Sequence, residues 1–183
     1  MLTAETYNQQ IHRLFKVAYS IRCNTNSTTD ELFQAAEIID DALSLTTEME
    51  VQTNTTTTLH EIIVDRIRCY IERIATYARL LKNTYGTPNF NKLSAQQERY
   101  CNQYLRAYSH IKHEEVQQSQ HQLTILAYQS LAASYFRRGG MGKDKLLCKQ
   151  ATSYLDKAME LTKDDKHYSV LLANKQQILQ ATG

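Results

Sequence analysis

The chain has 183 residues, 42% of them apolar, and 21 basic against 19 acidic side chains leave a net charge of +2. That apolar share is enough for a real core and excludes a wholly disordered chain, while the even charge balance gives no general case for nucleic acid or a membrane as partner. No run approaches the ~18 apolar residues of a membrane-spanning helix, and MLTAETYNQQIHRLFK lacks the basic-then-apolar order of a signal peptide.

Helix-breaking residues are concentrated in a few places. The only proline is Pro88, and the glycines are Gly86, Gly139, Gly140, Gly142 and Gly183. They fall at the chain end and in two clusters, TYGTPNFNK and RRGGMGKDK. The rest is rich in Ala, Leu, Gln, Glu, Lys and Arg, which predicts an all-α fold. A first helix is expected over about 4–23. NTNSTTDEL follows, where Thr28, Thr29 or Asp30 can accept from the free N–H groups that open a helix over about 30–49. In that helix Leu32, Ala35, Ala36, Ile39, Ala42, Leu43 and Leu45 form one apolar stripe. TNTTTTLHE opens the next, about 58–84, with Ile63, Ile67, Tyr70, Ile71, Ile74, Tyr77, Ala78 and Leu81 on its stripe. Further helices are expected over about 93–117, 120–138, 144–163 and 166–181.

Cys23, Cys69, Cys101 and Cys148 stand far apart with no CxxC pair, so they read as reduced, half-buried thiols of a cytoplasmic protein. His110 and His113 share a helix face beside Glu114, with His121 following, but the HExxH zinc pattern is absent and the surroundings are polar. GGMGK lacks the first glycine, the closing Ser or Thr and the preceding strand of a phosphate loop. Arg137, Arg138, Lys143 and Lys145 therefore read as a solvated loop, open at most to an acidic partner or a lipid headgroup. Asp40-Asp41 and Asp164-Asp165 are adjacent pairs, which on a helix point apart or act as caps. No Ser–His–acid or Cys–His spacing emerges. Neither an enzyme, a cofactor nor a bound metal is expected.

Short matches point to an internal duplication. Ala18-Tyr19-Ser20 recurs as Ala107-Tyr108-Ser109, and YIERI at 70–74 is answered by YLDKA at 154–158. The second pattern, Tyr154, Leu155, Asp156, Lys157, Ala158 and Leu161, preceded by Cys148, resembles the third helix of MIT domains. Those are three-helix bundles named for microtubule interacting and trafficking proteins. Arg68-Cys69 before Tyr70, and the Leu32–Leu45 stripe, resemble the same family's third and second helices. The resemblance implies two consecutive three-helix bundles plus a C-terminal helix: a first module over 1–85, a linker over 86–92, and a second module with its extra helix over 93–183. A tandem of this kind is similar to the C-terminal region of autophagy-initiating kinases. It implies a cytoplasmic, non-catalytic adaptor that takes a short helical or extended motif of a partner protein into grooves between helices, in membrane trafficking with ESCRT assemblies or in autophagy initiation. The groove positions would be Ile74 and Tyr77 in the first module, Ala158 and Leu161 in the second.

Two rival readings stand beside it. LAYQSLAASYF followed by QATSYLDKAMEL is similar to a tetratricopeptide repeat, with Leu131, Ala132, Tyr135, Ala151 and Ala158 in the packing positions, although GGMGKDK over-lengthens the turn. Such a chain would serve as a structural helical subunit of a larger complex. The other rival is a helical bundle that holds a metal through His110 and His113.

Overall fold

A computed structural model describes residues 3–52, 56–108 and 114–183. Among these residues there are seven helices and no strand: α1 Ala4–Cys23, α2 Thr29–Gln52, α3 Thr56–Asn83, α4 Asn89–Tyr108, α5 Glu114–Arg138, α6 Lys145–Leu161 and α7 Asp165–Thr182.

The helix starts follow local chemistry. Thr28 caps α2 through a reciprocal pair: the Glu31 N–H donates to Thr28 Oγ1 at 3.2 Å, and the Thr28 N–H donates to Glu31 Oε2 at 2.7 Å. Asp144 and Asp164 do the same service for α6 and α7, their carboxylates accepting from Leu146, Leu147 and His167 N–H groups. α4 begins at Asn89, directly after Pro88, rather than near 93, because a proline lacking its N–H suits the entry to a helix. The described part of α4 reaches Tyr108, and residues 114–120, where a break between two helices is expected, are continuously helical in α5.

α5 ends in a glycine turn. The Gly140 N–H donates to the Arg137 carbonyl at 3.0 Å and the Met141 N–H to the Phe136 carbonyl at 3.1 Å, the paired bonds of a Schellman end, with Gly140 at φ +61°. Gly142 then passes so close to α7 that a Cβ there would lie 2.3 Å from the Ala181 carbonyl oxygen.

The chain divides into two compact units. The first falls within Met1–Leu93 and Ile111–Gln120, the second within Ser94–His110 and His121–Gly183. In the first, α1, α2 and α3 pack on one another around Ile11, Ala18, Ala35, Ile39, Met49, Ile62 and Cys69. Each Ile or Leu removed from water there contributes about 1.5–3 kcal/mol. A smaller cluster of Leu32, Leu80, Leu81 and Leu93 gathers Tyr77 and Phe90. The expected α2 stripe is buried except for Leu45, which is only partly covered. On α3 the buried set is wider than one stripe: Ile62 is enclosed rather than Ile63, and Asp65, Glu72 and Thr76 are enclosed with it. A helix packed against two neighbours must bury two faces.

Asp65 and Glu72, with three arginines of the same helix, tie α3 to its neighbours. Asp65 meets His12 of α1 at 3.3 Å, Glu72 meets Arg22 of α1, and Arg79 donates to the Arg22 carbonyl at 2.6 Å, closing the end of α1. Toward α2, Arg66 reaches Glu50 and the Thr46 carbonyl, and Arg73 pairs with Asp40. In the second unit Ile125, Ala132, Cys148, Ala151, Leu155, Ala158, Met159, Leu171 and Ile178 form one core, so α7 is an integral part of it beside α5 and α6.

Candidate functional site

The four positions assigned to partner grooves fall into two environments. Ile74 and Ala158 have no exposed surface at all. A side chain so enclosed cannot touch an incoming peptide while the helices stay packed. Tyr77 and Leu161 are half-buried, Tyr77 against the Leu32–Leu80–Leu81–Leu93 cluster and Leu161 against the core of the second unit. The matched repeat segments also differ in surroundings. Glu72 is enclosed and held by Arg22, whereas its counterpart Asp156 is part-exposed and takes Lys175 Nζ at 2.6 Å. Ala18 is buried beside an exposed Tyr19, while Ala107 is exposed beside a buried Tyr108.

The second unit builds a distinct surface from α5 and α6, the helix that carries Leu161 one turn beyond Lys157. Tyr128 and Tyr135, seven residues apart on α5, both reach Tyr154 on α6. The Tyr128 and Tyr154 rings stack with centroids 5.9 Å apart, and Tyr135 meets Tyr154 edge-on at 5.3 Å. Lys157 Nζ stands 5.6 Å from the centroids of both Tyr128 and Tyr154, and the Arg138 guanidinium lies 5.0 Å over Tyr135. Burial, followed by the hydrogen bond with Tyr135, pushes the Tyr154 phenol up to about 12, so it stays neutral. Glu98 of α4 fixes the edge, accepting from Ser134 Oγ at 2.9 Å and Arg138 Nη1 at 2.8 Å. Half-covered aromatic faces next to an exposed ammonium can take an apolar anchor flanked by negative charge. In the sequence Tyr154 stands in the MIT-like pattern and Tyr135 in the tetratricopeptide-like one, and neither pattern brings them together with Tyr128. Their signal was the seven-residue spacing of Tyr128 and Tyr135, and of Tyr154 and Leu161.

The first unit carries a polar cleft of about 580 Å³ lined by Asn8, His12, His60, Glu61, Val64, Asp65 and Arg68. Asp65, 7% exposed, sits between His12 Nε2 and Arg68 Nη1. Among the described residues none of its lining side chains is a serine, threonine or cysteine, and burial pushes the thiol of Cys69, next along α3 from Arg68, up to about 12. Among the described residues no group of three or more His, Cys, Asp or Glu side chains is arranged to hold a metal. His110 and His113 lie outside the described residues. Of the basic loop, Arg137 reaches Ser94 and Arg138 is engaged by Glu98, leaving Lys143 and Lys145 exposed. Cys23 is exposed and the other three cysteines are buried; all four are free thiols.

No family model, no curated protein and no solved structure matches this chain.

Proposed function

We propose that the chain is a non-catalytic protein-interaction module that receives a short motif of a partner protein on the α5–α6 face, with Tyr128, Tyr135 and Leu161 as the apolar floor and Lys157 selecting an acidic flank. In this reading α1–α3 form one MIT-like bundle and α4–α6 a second, braced by α7, and the setting is membrane trafficking or autophagy initiation in the cytoplasm, as the resemblance implies. The observation that carries it is the half-buried tyrosine platform under an exposed lysine, which packs on the core with one side and leaves the other partly open. Selection of peptides from a random displayed library tests it. The expected winners carry an apolar or aromatic residue next to Asp or Glu, and Lys157→Glu weakens their binding, measured by calorimetry, by about tenfold or more. Selected peptides that bind Lys157→Glu and Tyr128→Ala as tightly as the parent would sink the proposal.

A second reading, a structural subunit with tetratricopeptide-like packing, draws support from the full burial of Leu131, Ala132, Ala151 and Ala158 and from the exposed Tyr168, Leu172 and Leu179 on α7. Concentration-dependent self-association or stable capture in a complex through α7, with no peptide selected on α5–α6, would favour it instead.

A further inference from the structure

The turn between α5 and α6 presents side chains that neither the core nor the tyrosine face uses. Met141 is 53% exposed and Leu146 is 68% exposed, and Lys143, Lys145 and Lys149 are exposed around them. Met141 also has a left-handed backbone, φ 53°, a conformation disfavoured for any residue with a side chain. Its N–H is fixed to the Phe136 carbonyl, and the next residue, Gly142, is pressed on the Ala181 backbone, so the turn is held and the methionine is kept away from the core. The last turn of α7, which Gly142 touches, adds Leu179 at 52% exposed. Within 137–149 the only acid is Asp144, and its carboxylate is engaged by the Leu146 and Leu147 N–H groups. At the opposite end of α6, by contrast, Glu160, Asp164 and Asp165 offset Lys163 and Lys166.

From this placement we propose that the α5–α6 turn and the first turn of α6 dock on the surface of bilayers carrying anionic lipids. Lys143, Lys145 and Lys149 lie at headgroup level while Met141 and Leu146 enter the acyl boundary. Contact is peripheral, since no described helix is long and apolar enough to cross a membrane. The occupant follows from charge and shape: three exposed ammonium groups, against the single carboxylate of Asp144, beside protruding apolar side chains match an anionic interface, where cation and hydrocarbon are both satisfied. The proposal is independent of the peptide-binding reading, because it uses other residues. Each lysine near such a surface strengthens binding about fivefold, so the three together give a preference for anionic over neutral vesicles on the order of a hundredfold.

The chain contains no tryptophan, so Leu146→Trp creates a single reporter at the point of insertion. With vesicles of phosphatidylcholine and phosphatidylserine, this variant should sediment, its emission should shift to the blue, and bromine-labelled acyl chains should quench it. Pure phosphatidylcholine should do none of these. In the otherwise native chain, Lys143→Glu/Lys145→Glu/Lys149→Glu should abolish sedimentation. Met141→Asn/Leu146→Gln, which keeps a residue tolerant of the left-handed backbone, should weaken it about tenfold or more, with helix content unchanged in both. Equal binding to neutral vesicles, or an emission that does not move, overturns the proposal. So does an apolar double variant that binds as well as the parent while inositol hexakisphosphate competes fully, the pattern of a soluble-phosphate site.

Discussion

Arg22 grips both carboxylate oxygens of Glu72, with Nε 2.5 Å from Oε1 and Nη2 3.2 Å from Oε2, and so ties α1 to α3. Glu72 is only 2% exposed, and burial, which works to lower the Arg22 pKa, is outweighed by the hydrogen bond and charge of Glu72, so the guanidinium is held above its ordinary value. The pair is costly to break and cheap to replace. Arg22→Met should destabilise by about 3–5 kcal/mol, because it leaves an enclosed carboxylate without its cation. Arg22→Met with Glu72→Met should recover most of that loss. Urea unfolding of the single and double variants measures both, and strictly additive losses would mean the two residues act separately.

Burial separates the candidate groove residues into a folding pair and a surface pair. Ile74→Asp and Ala158→Asp should each unfold their unit, since even a neutral polar group placed without a partner where no water reaches costs ~2–7 kcal/mol by transfer scales, and an ionised carboxylate costs more. Tyr77→Asp and Leu161→Asp should leave circular dichroism close to the parent, with a loss of about 1–2 kcal/mol. Peptides selected on the α5–α6 face should lose affinity for Leu161→Asp and keep it for Tyr77→Asp. A Leu161→Asp protein that is unfolded would place that residue with the core.

Much of the helix plan was legible from breakers and caps: TYGTPNFNK and RRGGMGKDK mark real ends, and of the three cap candidates Thr28, Thr29 and Asp30 it is Thr28 that accepts. The resemblance of short repeats was less reliable, because three matched letters do not set a helical phase; Ala18 and Ala107 face opposite environments. The largest omission lies on α3. Asp65, Glu72 and Arg79 recur every seven residues toward α1, and Arg66 and Arg73 do so toward α2, as flanking charges do in packed helices. Reading that helix for its apolar stripe alone passed over the charges that orient it. Tyr77 and Leu161 were findable as surface positions, whereas the convergence of Tyr128, Tyr135, Tyr154 and Lys157 depends on how α5 meets α6, which no single-helix periodicity encodes.

Alkaline pH should unfold the protein early. Burial pushes the Cys69 and Cys101 thiols from an ordinary 9.0 up to about 12. Below pH 9 both folded and unfolded chains keep these thiols protonated, and the full stability is present. Between about 9 and 12 the unfolded chain ionises and the folded one does not, so stability falls by up to ~1.4 kcal/mol per pH unit for each thiol. The urea midpoint should therefore drop from pH 9 to 11, and drop less steeply in Cys69→Ala/Cys101→Ala. At neutral pH a thiol reagent should find one fast site, Cys23, and an equal rapid reaction of all four would contradict the burial of the other three.

The α2 start offers a modest, local test. Thr28→Ala removes the hydroxyl that accepts from Glu31, and should cost about 1 kcal/mol; Thr28→Ser should restore most of it. Loss of the reciprocal Glu31 contact by Glu31→Ala should add little in the Thr28→Ala background, because the two bonds form one device.

Gly142 imposes a rule of a different kind on its neighbourhood. The atom a side chain would strike is the main-chain oxygen of Ala181, which no substitution at 181 removes, and the φ of +120° is itself closed to side chains. Position 142 is thus indifferent to chemical character: in a saturation scan alanine should score as badly as aspartate or phenylalanine, giving a flat row where most surface turns give a graded one. The injury would also appear elsewhere, as accelerated amide exchange over the last turn of α7, because the turn and that helix end behave as lock and bolt, and neither slides without the other.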